Sequence, residues 1–184
     1  MTTSFITKKR IAKSLRTLMA QTEFEKISIV EIMEQTGIRR QTFYSHFVDK
    51  YDLLNWIFVT DLEEQIQDNL TYVSGDSLML QVLDFFSMNQ TFYRKLFLLE
   101  GQNNFSDYFF DYCHQLVEKM ISDNPTNQAY KWSPDEYNFF VAYQAAAISF
   151  LIRKSILAGD MDCRNLSKDI RQVLHRGLVG WRLD

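Results

Sequence analysis

Between positions 39 and 46 the chain carries Arg39, Arg40, Gln41, Thr42, Tyr44, Ser45 and His46, broken only by Phe43, and Lys50 follows. These side chains are suited to nucleic-acid recognition. Arginine can donate two parallel bonds to guanine and glutamine can pair bidentately with adenine, while Tyr, Ser, Thr and Lys commonly hold phosphate oxygens. Together with Ser28 they form the set of expected DNA contacts.

Such a run works only if rigid elements present it. Ser28 to Gln35 reads as a short helix, with Ser28 as N-cap and Glu31 completing a capping box. Thr36-Gly37 reads as a turn in which the glycine takes positive φ. Arg39 to Ser45 reads as a second short helix. A helix-turn-helix sets its second helix in the DNA major groove while the first braces it. Ile29, Ile32, Ile38, Phe43 and Phe47 would pack between the two. At about 100° per residue, Gln41 and Ser45 fall roughly opposite Phe43, and Arg39 and Arg40 stand at the helix start, where long side chains reach a groove floor. A plain helical hairpin with a polar face has the same periodicity, so spacing alone leaves both readings open.

The chain resembles the TetR family of bacterial regulators. The resemblance is carried by Ile29, Ile32, Gly37-Ile38, Thr42-Phe43-Tyr44, His46-Phe47, Lys50 and Leu53-Leu54, and covers roughly residues 8 to 55. Met33 and Thr36 depart from the family's small residues, and Gln41 replaces its usual Gly, Ala or Pro, which should change the bases read. The resemblance implies a DNA-binding head, a helical body, and a dimer built from the last two long helices. It also puts Arg40 at the position that touches base edges, with Gln41 assisting and Arg39 the second choice. A phosphate contact is the alternative for Arg40. A narrower resemblance, to activators of dihydroxyacetone-kinase operons, is carried by Gly37 to Tyr44, Tyr93 to Phe97 and Gly177 to Trp181. It implies activation in which a kinase-like partner protein senses the metabolite and docks on this chain.

Composition supports an all-α fold. The 184 residues are 46% hydrophobic and 15% aromatic, with two prolines and six glycines. The net charge of −3 divides unevenly. Residues 1–50 carry nine basic residues against five acids, and residues 51–184 carry eleven against eighteen. Phosphate binding needs a local patch and not a basic protein. The polar, basic N-terminus reads as lacking a secretory signal, and no apolar run is expected to reach a membrane span, so a cytoplasmic protein without membrane association is expected. Cys113 and Cys163 lack metal-ligand spacing and are expected to be free thiols. His114 and His175 are isolated, and no phosphate-cradling glycine loop or nucleophile elbow occurs. No enzymatic activity, metal or cofactor is expected.

Two domains are expected, a head at 1–50 and a regulatory and dimerisation body at 51–184, with about nine helices. The first helix covers Thr7 to Gln21. A long helix opens at Asp49-Lys50, where Lys50 is better explained by a phosphate than by helix stability, and it serves as a lever towards the body. Helices follow over Asp76 to Asn89, Thr91 to Leu99, Phe105 to Ser122, Ser133 to Leu157, and Leu166 to Arg182. Ala145-Ala146-Ala147 would let another helix approach closely, within the chain or across a dimer. Phe85, Phe86, Phe92, Tyr93, Phe97, Tyr108, Phe109, Tyr112, Tyr137, Phe140 and Tyr143 could line a small-molecule effector site, form a partner surface, or simply be core. A small-molecule-responsive repressor is the alternative function. A helical interaction module without DNA binding is a third, which Tyr44 and Lys50 argue against.

Overall fold

The computed structural model describes residues 3–67, 72–99, 105–124 and 132–180. In chain order the helices are α1 (Thr3–Gln21), α2 (Ile29–Thr36), α3 (Arg40–Tyr44), α4 (Lys50–Gln67), α5 (Gly75–Met88), α6 (Gln90–Leu98), α7 (Phe105–Ser122), α8 (Pro134–Ala158) and α9 (Cys163–Gly180), with one 3-10 turn at Phe24–Lys26. No strand occurs among the described residues, so the all-α reading holds. Leu70, Trp181 and Arg182 lie outside them.

The residues group into two compact units. The first holds α1, α2, α3, α4 as far as Asp61, and α6 from Thr91; the second holds α4 from Leu62, α5, α7, α8 and α9. The first unit takes in α4 as far as Asp61, and the chemistry of α4 explains why. Asp61 accepts hydrogen bonds from Arg16 of α1 and Tyr93 of α6, and its side chain is only 12% exposed. The Arg16 guanidinium also lies 4.3 Å over the Phe92 ring. Lys95 donates to the carbonyls of Met19 and Thr22 at 2.5 and 3.4 Å, capping the end of α1. Removing a partner of this shared, half-buried carboxylate is costly because it leaves the charge less compensated, so these contacts tie α1, α4 and α6 together.

α1 also braces α2 directly. Ser14 Oγ donates to the carbonyl of Ile32 at 2.6 Å, and Arg10 donates to that of Thr36 at 2.9 Å. Thr36, a departure from the family pattern, is buried and serves the turn. Its hydroxyl donates to Met33 O and accepts from the Ile38 amide.

In the second unit, α7 and α8 form the largest interface, and Phe109, Cys113, Leu116 and Val117 of α7 and Phe140, Val141, Ile148 and Ile152 of α8 are buried. Ser74 caps α5, and the first helical residue is Gly75. A Cβ on Gly75 would stand 2.7 Å from the backbone N and Cα of Met120, so only glycine fits without displacing α7. The Gly75 amide donates to Asp123 Oδ2 at 2.7 Å, and Lys119 pairs with the other oxygen of that carboxylate.

Several helix limits differ from expectation. α1 begins at Thr3 rather than Thr7, because Thr7 Oγ1 bonds back to the Thr3 carbonyl inside the helix. α3 is one residue shorter at each end, and Arg39 is its N-cap. α9 begins at Cys163 rather than Leu166, since Asp162 accepts from the Asn165 amide and side chain. α8 also corrects the membrane reading: an 18-residue window within it has mean hydropathy 1.3, long and apolar enough to cross a bilayer by length and composition alone. Part of that apolarity faces α7. The rest lies on an outer stripe of Phe139, Tyr143 and Phe150, at 62%, 61% and 64% exposure.

Candidate nucleic-acid interface

The head is built from its caps inward. Ser28 Oγ accepts from the Glu31 amide while Glu31 accepts from the Ser28 amide and hydroxyl, the expected capping box. These bonds hold the Glu31 carboxyl below its ordinary range. Gly37 ends α2 at φ 65°, ψ 15°, a left-handed conformation that glycine adopts at little cost. α3 then starts with Arg39 in extended geometry.

Phe43 fixes the rotation of α3. It is fully buried, with Phe47 beside it at 5.6 Å between ring centroids and Trp56 of α4 beyond at 5.8 Å from Phe47. Arg39, Arg40, Gln41, Tyr44 and Ser45 are exposed as a consequence, and Thr42 and His46 are half-buried, with the His46 ring tilted against Phe47. The structure thus gathers the residues of the 39–46 run on one short helix and the turn after it. Arg40 Nη2 donates to Tyr44 Oη at 3.0 Å, and Ser45 Oγ reaches the Gln41 carbonyl only at 3.5 Å.

Two residues of the expected set are otherwise engaged. Lys50 Nζ donates to the carbonyls of Phe24, Glu25 and Ile27 at 2.9, 2.8 and 3.0 Å and sits 4.8 Å over the Phe24 ring. An ammonium has three donors, and all three are used. Its role in this structure is to close the 3-10 turn before α2. Ser28 is exposed, but its hydroxyl is occupied by the capping box. The beginning of α4 does not depend on Lys50, because Asp49 Oδ1 accepts from the amides of Tyr51 and Asp52.

The basic patch of the head is also smaller than the count suggests. Arg10 and Arg16 make internal bonds, and Lys8 lies over the rings of Phe47 and Trp56. Conversely, Val48 is 80% exposed in the segment between α3 and α4, an apolar side chain close in sequence to the polar run.

The expected effector residues are divided between the two units. Tyr93 and Phe97 belong to the first unit, and Phe86, Tyr108, Phe109, Tyr112, Tyr137, Phe140 and Tyr143 to the second. Phe86, Tyr93, Phe97, Phe109, Tyr112 and Phe140 are buried, Tyr137 is half-buried, and Tyr108 and Tyr143 are exposed. Tyr143 stacks on Phe139 along the outer stripe of α8, so it is a surface residue and not part of a pocket lining. Tyr112 Oη is buried and has no hydrogen-bond partner among the described residues.

Comparison with known proteins agrees with this architecture. Residues 76–176 match the TetR-type family described as "Transcriptional regulator C-terminal region". The chain belongs to the TetR family of transcriptional regulators and is not an enzyme. It is 39% identical over 157 residues to the HTH-type dhaKLM operon transcriptional activator DhaS of Lactococcus lactis subsp. lactis (strain IL1403), a match covering 85% of this chain and 83% of that protein. A solved structure of a dihydroxyacetone kinase operon activator DhaS superposes with a TM-score of 0.84 at 36% identity, covering 95% of this chain and 97% of the other.

Proposed function

We propose that the chain is a cytoplasmic, homodimeric activator that binds a palindromic operator and switches on a dihydroxyacetone-kinase operon together with a kinase-like co-activator protein. The observation that carries this reading is the exposed polar face of α3, locked outward by the fully buried Phe43. Arg40, with Gln41 and Arg39, reads base edges; Thr42, Tyr44, Ser45 and His46 bind the backbone. A two-fold protein engages two half-sites and doubles its contacts. The surface for the second copy is the α8 stripe: Phe139, Tyr143, Ala146 and Phe150 are spaced by four, three and four residues and fall within about 60° of one another.

Fluorescence anisotropy with DNA from upstream of the kinase genes tests the binding. Retention at physiological salt, against loss on unrelated DNA, is expected. A promoter reporter tests the sign: deleting the regulator should lower transcription, and a rise would make it a repressor.

A further inference from the structure

Arg164, Lys168 and Arg171 of α9 are spaced by four and three residues, which places them within about 60° of one another on the helix. They line a cleft of about 340 Å³, together with Ser167 of α9 and Asp76, Ser77 and Leu80 of α5. All three cations are exposed. The lining of this cleft holds one carboxylate, Asp76, whose Oδ2 stands 3.7 Å from Arg171 Nη1. Lys168 makes no hydrogen bond or ion pair among the described residues. Arg164 acts at longer range on Asp162 at the start of α9. Like charges one turn apart repel, so the helix carries here an unfavourable arrangement that an anion would relieve. Composition does not account for the cluster, since residues 51–184 are acidic overall, with eighteen acids against eleven basic residues.

The donors in the cleft suit a phosphate dianion. A guanidinium offers two parallel bonds to two oxygens, an ammonium offers a point charge, and the hydroxyls of Ser77 and Ser167 can each donate one more bond. The one carboxylate of the lining restricts the ligand further. Asp76 repels a second anionic group, yet it can accept a bond from a hydroxyl. Leu80 gives a short carbon chain an apolar surface. The volume is near the lower end of the range for small-ligand sites. Val173, the exposed apolar residue of α9, lies roughly opposite the basic face, so the cleft is distinct from the apolar surface.

We propose that the α5–α9 cleft binds a small phosphomonoester that bears a free hydroxyl group. This goes beyond the DNA-binding reading and does not rest on it.

The test uses the full chain in thermal-shift and amide NMR titrations with inorganic phosphate, glycerol 3-phosphate, glycerol and sodium chloride, the salts matched in ionic strength. Phosphate should give a saturable rise in Tm and shift the amides of Ser77, Ser167 and Lys168. Glycerol 3-phosphate should bind several-fold tighter, and glycerol should have no effect. Arg164→Ala and Lys168→Ala should each weaken both phosphates at least tenfold, while Lys168→Arg keeps most of the binding. Asp76→Asn should remove the preference for glycerol 3-phosphate over phosphate without removing phosphate binding. Tm in chloride alone reports whether each variant is folded. A response reproduced by sodium chloride, or one that survives the Arg164→Ala/Lys168→Ala double change, would overturn the proposal.

Discussion

Arg40 is held by Tyr44. The guanidinium donates to the phenol oxygen at 3.0 Å, one turn along α3, and stands 5.7 Å over the same ring. Tyr44 in turn packs edge-on against the buried Phe43, 5.5 Å between centroids. The residue assigned to a base and the residue assigned to the backbone therefore act as one assembly, and the core supports both.

Tyr44→Phe is accordingly expected to alter specificity as well as affinity. Arg40→Ala should relax preference at one position of each half-site by about 1–3 kcal/mol. Tyr44→Phe should relax the same position by roughly 0.5–1 kcal/mol, because a freed arginine must be immobilised on binding. Anisotropy on a panel of operators with single base changes measures both. A uniform loss across the panel for Arg40→Ala would assign that arginine to a phosphate.

Lys50→Ala should destabilise the fold by about 1–3 kcal/mol, the range for hydrogen bonds from a charged donor. A phosphate ligand would instead change the slope of log affinity against log salt by roughly one unit. The expected outcome is a lower midpoint in chemical denaturation with the salt slope unchanged.

Two buried tyrosines should respond oppositely to the loss of their hydroxyls. Tyr93→Phe removes a bond to the Asp61 carboxylate and should cost about 2 kcal/mol, whereas Tyr112→Phe removes an unpartnered hydroxyl and should stabilise by about 1 kcal/mol. Both phenols titrate above their ordinary value of 10.0, chiefly through burial, with the Asp61 charge adding to the effect at Tyr93. Their protonated forms therefore stabilise the fold fully below about pH 10, and that contribution is lost as pH rises through the folded-state values. Denaturation curves from pH 8 to 11 should show a shallower alkaline decline in either variant.

How much of this is legible in the sequence depends on how local the determinant is. The capping boxes at Ser28 and Ser133 and the left-handed Gly37 are written within four residues, and each stands where its pattern places it. The partners of Lys50 lie 23 to 26 residues back along the chain, so nothing beside it in the sequence shows the turn that it closes. Aromatic spacing cannot separate the buried Phe109 from the exposed Tyr143, because what covers each is set by packing. The start of α9 escapes an apolar-period reading, since its first turn has only Cys163 and Leu166 facing inward. Asp162 was the available cue.

Dimerisation is tested best on Ala146 and Phe150. Ala145 is fully buried inside the chain, so a charge there would break the fold itself, whereas Ala146 and Phe150 are exposed. Ala146→Glu should give a folded monomer that binds a half-site weakly, because an unpaired charge in a packed interface costs roughly 3 kcal/mol or more. Sedimentation of variant and wild type decides it, and a monomeric wild type at micromolar concentration would remove the dimer.

The contact at Gly75 limits how the second unit can deform. With no room for a side chain between the start of α5 and the Met120 backbone, and with the Gly75 amide clasped by Asp123, these two helix ends behave as a pivot and not as a sliding surface. α5 can swing about that point, but translation along α7 would have to break the clasp first. Any shift of α5 along α7 therefore meets both the Gly75–Met120 approach and the Gly75–Asp123 bond, and the chemistry of a single glycine sets that restriction.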